Sequence, residues 1–258
     1  MPSWFVDFGR VVGGLLVFAL CALFASVALV PCYYLFTAVQ DHFSMFWAVL
    51  STPFLYLVWG VGYCACCVVF KLLMFYHPHE GEWAIFSWSV VGWGTTGAVT
   101  NFANEMFLKH FKGTPMLNIW YRLLGAKIGR RVTINSILIF DWNLIDIGDD
   151  VVIGGDAVLM AHSLEGGKMR MRPVRLGKRS MVGGNAKVMP GCVLGEGAVL
   201  GASSLMTKGT TIPAHHMWGG VPAKFLKDRA LGPAAGAPMN RSSTTAEPAP
   251  AVATEAKR

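Results

Sequence analysis

The chain has 258 residues, a formal net charge of +7 and 53% apolar side chains, with a mean hydropathy of +0.46. That hydropathy excludes an ordinary water-soluble enzyme and points to a partly membrane-embedded protein. The basic excess fits anionic lipid, a phosphorylated cofactor or the cytoplasmic bias of basic residues, and no nucleic-acid recognition fold accompanies it, which argues against nucleic acid as a partner.

In chain order, residues 11–30 form a continuous apolar run of about the 20 residues a spanning helix needs. Arg10 is the only basic residue before it, so a retained helix is expected in place of a cleaved signal peptide. Trp4 and Phe5 suit an interfacial belt. A second run, 43–70, exceeds a straight crossing, and Pro53 is a site for a kink. The connection 31–44 carries no Lys or Arg, whereas Arg10 and Lys71 lie on the other side. Residues 1–75 are therefore expected to form a transmembrane hairpin with both termini, and the catalytic half, on the cytoplasmic side of a multi-pass membrane protein. Residues 76–127 are expected to form an interfacial, amphipathic linker. Within it, 82–101 is rich in Gly and in Trp83, Trp88 and Trp93, which suits an interfacial or re-entrant segment, with a third crossing as the alternative. In 102–111, Met106, Phe107 and Phe111 beside Lys109 and His110 suggest a helix lying on the membrane surface.

From Ile128 the period becomes six. Aliphatic residues recur at Ile147, Ile153 and Leu159, then at Leu176, Val182, Val188, Leu194, Leu200, Met206 and Ile212. Glycine follows at Gly129, Gly148, Gly154, Gly177, Gly183, Gly195 and Gly201, and a small residue stands four places on, as at Ala157, Ser163, Ser180, Ala186, Cys192, Ala198 and Ser204. Neither a helical nor an alternating period gives this spacing. It predicts a three-sided coil over 128–227, with the aliphatic residue inward, glycine allowing the turn and the small residue at a tight corner. Excising 165–175 restores the register between Leu159 and Leu176, so those residues are expected to leave the stack as a loop. Residues 228–258, rich in Ala, Pro, Ser and Thr, are expected to be disordered, and the expected cytoplasmic location of this tail makes the sequon Asn240-Arg241-Ser242 a chance match. No spacing of the six cysteines suggests a disulfide framework or a zinc site.

The repeats resemble the hexapeptide-repeat acyltransferases. The resemblance is most specific at Gly201-Ala202-Ser203-Ser204-Leu205-Met206-Thr207-Lys208-Gly209, Ile212-Pro213-Ala214 and Trp218-Gly219-Gly220-Val221-Pro222-Ala223-Lys224. A narrower resemblance, through Gly113-Thr114-Pro115, Arg122-Leu123-Leu124-Gly125-Ala126-Lys127-Ile128-Gly129, Asp146-Ile147-Gly148-Asp149-Asp150 and His162, is to the membrane-bound carboxy-terminal region of ε-poly-lysine-type peptide synthetases. The resemblance implies a left-handed parallel β-helix, preceded here by the α-helical transmembrane and interfacial region. It implies a homotrimer with active sites between protomers, and a membrane-anchored acyltransferase acting on an acyl thioester, of coenzyme A or of a carrier, and a small polar acceptor. It implies no tightly bound cofactor and no metal. Gly183, Ala202, Lys208, Gly219, Gly220, Pro222, Ala223 and Lys224 fall where the family holds the donor.

His162, on an outward position just before the extruded loop, matches the family's general base, and a neutral imidazole can take the proton of an attacking hydroxyl or amine. Glu165 is the candidate to orient it, with a solvated loop carboxylate as the alternative reading. Asp141 and Asp146 are further candidates, with corner or turn residues as the alternative reading. His215 and His216 read as the surface of the closing segment. Cys192 is a rival nucleophile at a position where alanine would pack equally well. Lys168, Arg170, Arg172, Arg175, Lys178 and Arg179 could meet phosphates or lipid headgroups, or form a solvated face. A γ-type carbonic anhydrase needs three converging histidines, and His162, His215 and His216 lack that spacing. A noncatalytic membrane scaffold and an amide-forming condensing module are the remaining alternatives.

Overall fold

An apolar run without a strong stop signal continues as helix, and α1 extends over Ser3–His42 with Pro31 inside it. At 1.5 Å per residue it is about 60 Å long. This corrects the expected connection at 31–44: Pro31 forfeits one backbone hydrogen bond, the apolar residues after it keep the helix going, and the chain breaks only between His42 and Met45. The second run is likewise two helices, α2 over Met45–Leu50 and α3 over Thr52–Leu73. Pro53 does not kink a helix there. It stands in the first turn of α3, where its missing N–H has no partner to lose. The computed structural model describes residues 3–74, 79–85 and 87–229, with the backbone alone for 3–7 and 10. The rings of Trp4 and Phe5, and the tail at 231–258 with its sequon at Asn240, lie outside the described residues.

Ala28 lies against Gly62 at 3.3 Å from where a Cβ would stand, Cys32 reaches Leu55 and Phe24 meets Phe70. These pairs make α1 and α3 antiparallel, and their outer faces leave Leu15, Phe18, Phe54 and Val69 exposed. By length and composition, Val11–His42 and Thr52–Leu73 are long and apolar enough to cross a membrane.

The Trp-rich stretch folds differently from expectation. Gly81–Ala84 is a strand, and Trp88–Met106 is α4, capped by Ser87, whose hydroxyl accepts from the Val90 N–H. The face carrying Thr96, Val99, Thr100, Ala103 and Asn104 is buried. Nor is there a surface-lying helix at 102–111. α4 ends at Met106, a short 3-10 turn covers Leu108–Phe111, and Phe107 and Leu108 are buried. The Phe107 ring fills the slot that Gly60 leaves on α3, where any Cβ would lie 2.1 Å from it. Burying these rings against α3 removes more apolar area from water than one side of a surface helix would.

α5 covers Pro115–Leu123 and buries Leu117, Trp120 and Tyr121. Trp120 donates to Asn104 Oδ1 at 3.0 Å, Asn104 donates to the Ile137 carbonyl at 3.3 Å, and Asn118 donates to the Val132 carbonyl at 2.7 Å. These buried bonds fix α4 and α5 onto the first coils, and each would leave a costly orphan if broken, about 1–3 kcal/mol.

The coil half is a parallel β-helix with three flat faces. One face stacks Thr133–Ile134, Val152–Ile153, Met181–Val182, Val199–Leu200 and His216–Gly219. The second stacks Val158–Leu159, Lys187–Val188 and Leu205–Met206. The third stacks Lys127–Ile128, Ile145–Ile147, Val174–Leu176, Val193–Leu194 and Thr211–Ile212. The strand His216–Gly219 is then covered by Lys224–Asp228, which runs antiparallel to it. The repeated aliphatic residues from Ile147 to Ile212 and the small residues Ala157, Ser180, Ala186, Cys192, Ala198 and Ser204 are buried.

The glycines have a different task from the one expected. A Cβ on Gly183 would stand 2.4 Å from the Ala202 backbone nitrogen, and one on Gly154 would stand 2.5 Å from that of Gly184. Close stacking of successive coils requires these glycines. The left-handed corner falls two residues later, on Arg179, Asn185, Gly191, Gly197, Ser203, Gly209 and His215.

The extruded segment is a β-hairpin. His162–Glu165 pairs with Lys168–Met171 across Gly166 and Gly167, both at positive φ, and Val174 re-enters the stack. Gly81–Ala84 joins it as a third strand, with Glu82 opposite Arg170 and Trp83 opposite Met169. Met169 and Met171 are buried. The alternation Lys168-Met169-Arg170-Met171 is a strand pattern lying inside what the register marks only as an insertion.

Candidate active site

Where the coil gives way to the hairpin, Ala161 is the last coil residue and His162 the first of the hairpin strand. His162 Nδ1 lies 2.7 Å from Asp141 Oδ2. That same oxygen accepts the Ala161 N–H at 2.8 Å, and Oδ1 accepts the indole N–H of Trp93 at 2.7 Å. The Asp141 side chain is 0% exposed and that of His162 is 17% exposed. A carboxylate already taking two N–H bonds is held as an acceptor, so Nδ1 of the imidazole carries the proton and donates. Nε2 is then left with its lone pair free. Trp93 also packs edge-on against the imidazole at 4.7 Å between centroids, and Phe140 closes in at 6.4 Å. The ring is thus fixed in orientation and tautomer by groups from α4, from the coil and from the corner before it.

Asp141 sits at φ 58°, ψ 46°, and starts the short 3-10 turn Trp142–Leu144. Aspartate tolerates this left-handed conformation better than most residues, because its short polar side chain can bond locally. Here both carboxylate oxygens are bonded, and the corner aims them inward.

Glu165 takes no part in this arrangement. It stands at the far end of the hairpin strand, in an ion pair with Lys208 and 3.6 Å from Arg170. Three steps of extended strand, at about 3.3 Å each, separate its position from His162. The carboxylate bonded to the imidazole is that of Asp141, the other candidate and itself a corner residue. Asp146 lies on an exposed strand position, paired with Lys127 and Arg175 in the ladder.

Of the residues matched to donor binding, Gly183 and Ala202 stack on each other in successive coils. Gly219, Gly220, Pro222 and Ala223 fold back over the same coil end: Gly220 N–H donates to Ser204 Oγ at 3.0 Å and Ala223 N–H to the Leu205 carbonyl at 2.8 Å. Lys224 begins the exposed covering strand. Lys208 lies apart from these, at the hairpin, with Glu165.

The basic cluster is largely paired. Glu82 meets Arg170 at 2.9 Å and Lys168 at 3.7 Å, Asp149 meets Lys178 at 3.9 Å, and Glu196 pairs with Arg179. His216 Nε2 lies 3.1 Å from Asp228 in the covering strand, and His215 occupies a left-handed corner. Cys192 is buried, its thiol 3.0 Å from the Thr207 carbonyl, and burial pushes its pKa up, the reverse of what a nucleophile needs. Among the described residues, no group of three or more His, Cys, Asp or Glu side chains could hold a metal ion.

Comparison with known proteins finds likenesses concentrated in the coil half. The family profile described as the hexapeptide repeat of succinyl-transferase covers residues 173–207. Over 170 residues, 65% of the chain, it is 29% identical to the delta-poly-L-ornithine synthetase of Acinetobacter baumannii (strain AB307-0294), of which that match covers 13%. Over 139 residues it is 29% identical to the galactoside O-acetyltransferase of Escherichia coli (strain K12), covering 48% of this chain and 68% of the relative. Among solved structures, a hexapeptide-repeat acetyltransferase of Vibrio cholerae O1 biovar eltor, complexed with acetyl coenzyme A, aligns with 63% of this chain and 98% of its own at 19% identity and a TM-score of 0.41. The coil half is similar in sequence to hexapeptide-repeat transferases over residues 173–207 and to named acetyltransferases over longer stretches.

Proposed function

We propose that this chain is a membrane-anchored acyltransferase that moves an acyl group from a coenzyme A thioester to a hydroxyl or amine, with His162 as general base and Asp141 as its positioning residue. The observation that carries this is the 2.7 Å bond from Nδ1 of His162 to a buried, fully bonded carboxylate, which leaves Nε2 as the free base. As the acceptor oxygen or nitrogen attacks the thioester carbonyl, Nε2 takes its proton. Collapse of the tetrahedral intermediate breaks the carbon–sulfur bond, and the imidazolium returns the proton to the departing sulfur. No acyl-enzyme is required.

Several finer assignments belong to the same proposal. Residues 1–75 form a membrane hairpin, 76–127 a helical collar docked on the coil, and 128–227 a left-handed β-helix that works as a trimer. Gly183, Ala202, Lys208, Gly219, Gly220, Pro222, Ala223 and Lys224 serve the donor. Support for membrane insertion comes from the exposed apolar faces of α1 and α3, far larger than a water-soluble surface normally presents. A second reading, amide formation by a condensing module, is favoured by the 170-residue similarity to the synthetase; the same base would then deprotonate an amine.

Purified chain in detergent should bind acetyl coenzyme A and release the free thiol when hydroxyl or amine acceptors are added, with no acyl adduct in its intact mass. Failure to bind any thioester would replace the enzyme with a scaffold. A monomeric mass for fully active protein would remove the trimer. Labelling of a cysteine at Asp41 from the same side as one at Lys227 would remove the hairpin topology.

A further inference from the structure

α5 is apolar on two sides. With Leu117, Trp120 and Tyr121 it is buried in the core. The other side carries Met116, Ile119 and Leu123, spaced three and four residues apart as one stripe. Ile119 is 51% exposed and Leu123 is 54% exposed. This stripe borders α3, and between the two helices runs an open groove of about 380 Å³ whose α3 wall includes Val61, Val68 and Val69. The side chains that line it are apolar, and the N–H of Trp120 in its wall is spent on Asn104.

The rim of the groove is basic. Between Glu105 and Asp141 the chain has six Lys and Arg and no Asp or Glu. Lys112 and Arg131 are taken by Asp156 and Asp150. Lys127 stands beside Asp146 in the ladder, and the backbone N–H of Arg130 donates to Asp149. Lys109 and Arg122 are exposed, and among the described residues no carboxylate lies within ion-pair distance of either. Lys109 directly follows Leu108 and Arg122 directly precedes Leu123, so each cation adjoins a wall of the groove. The Arg122 guanidinium donates to the carbonyls of Ile128 and Gly129, at 3.0 and 2.6 Å, which holds it at the edge where α5 meets the first coil.

An apolar groove of this size left open to water is unfavourable. Its α3 wall is itself half exposed at Val61 and Val69 and belongs to the apolar face that supports membrane insertion. We propose that the groove takes an acyl chain of an anionic phospholipid, with Lys109 and Arg122 meeting headgroup phosphates, so that α5 seats the coil on the bilayer surface. This rests on the membrane-anchored part of the function proposed above. Continuity with the outer face of α3 selects a lipid tail as the occupant, and the two cations without counter-charges select an anionic headgroup.

The test uses the full chain in an uncharged detergent, with phosphatidylglycerol, phosphatidylcholine or glycerol phosphate added. Native mass spectrometry reads the lipid retained, and thermal melting reads the fold. Wild-type chain should retain phosphatidylglycerol in preference to phosphatidylcholine, and glycerol phosphate, a headgroup without a tail, should not bind. Lys109→Gln should weaken phosphatidylglycerol about fivefold and leave phosphatidylcholine unchanged. Ile119→Ser combined with Leu123→Ser should melt like the wild type in detergent alone, because both side chains are half exposed, and should bind the groove lipid about 10-fold or more weakly. Lipid on the outer faces of α1 and α3 is common to all variants, so differences between them report the groove. Unchanged lipid retention in the double variant, equal retention of the two phospholipids by the wild type, or glycerol phosphate binding as strong as phosphatidylglycerol would overturn the proposal. If the double variant unfolds, an unchanged phosphatidylglycerol affinity in Lys109→Gln overturns it equally. A double variant that keeps its lipid and loses self-association would make the groove a contact between copies of the chain. A chain that leaves membranes in alkaline buffer without detergent loses the membrane-anchored reading, whereas one that needs detergent but holds the same lipid in every variant loses the groove alone.

Discussion

Replacing Asp141 by asparagine separates orientation of the base from its presence. The side chain keeps its size, and Oδ1 can still accept from Trp93. The other arm becomes an NH₂ facing two donors, the Ala161 N–H at 2.8 Å and the His162 Nδ1 at 2.7 Å. The backbone N–H cannot reverse its role, so it is left buried and unsatisfied, at about 1–3 kcal/mol. The imidazole can answer by moving its proton to Nε2 and accepting at Nδ1. That restores one hydrogen bond and removes the free base. Stability should therefore fall by about 1–3 kcal/mol, while the rate of acyl transfer falls by about 10²–10⁴, the usual worth of a general base. Melting in detergent gives the first quantity, and thiol release from acetyl coenzyme A under single-turnover conditions gives the second. A folded Asp141→Asn protein with wild-type turnover would show that the carboxylate does not set the tautomer. Loss of stability and rate in strict proportion to the unfolded fraction would show that Asp141 is structural alone.

The remaining predictions concern the scaffold. Gly183→Ala drives a Cβ to 2.4 Å from the Ala202 nitrogen, and overpacking of this kind should cost about 1–3 kcal/mol or more; an unchanged melting temperature would contradict the stacking role of the repeat glycines. Cys192→Ala should leave turnover unchanged, and the Cys192 thiol should resist alkylation until the chain unfolds, because burial holds its pKa above the ordinary value. Rapid alkylation of Cys192 in the folded protein would reverse that assignment.

The coil was legible because one physical constraint, a narrow aliphatic core with close coil stacking, repeats every six residues and so writes itself many times. His162 was legible from its place beside a break in that register. The pairing of Asp141 with it was not, for a reason visible in hindsight. The spacing from Ile134 to Ile147 is also not a multiple of six, and that smaller break is where the Asp141 corner lies. It reads as ordinary slippage unless its partner, 21 residues on, is known. Trp93 left no local signal at all. It sits in a Trp-rich stretch that resembles an interfacial belt, and only packing of α4 on the coil brings it to Asp141. The glycines were misassigned because a close approach between coils and a turn within one leave the same residue in the sequence.

The central claim is that a base at position 162 accepts the acceptor's proton. The measurement that reaches it most directly is single-turnover acyl transfer from acetyl coenzyme A by His162→Ala and His162→Gln, with donor binding and melting recorded on the same preparations. Both variants should fold and bind the thioester like the wild type, and both should transfer about 10²–10⁴-fold more slowly. Transfer at the wild-type rate by either folded variant would contradict the assignment of His162 as the base.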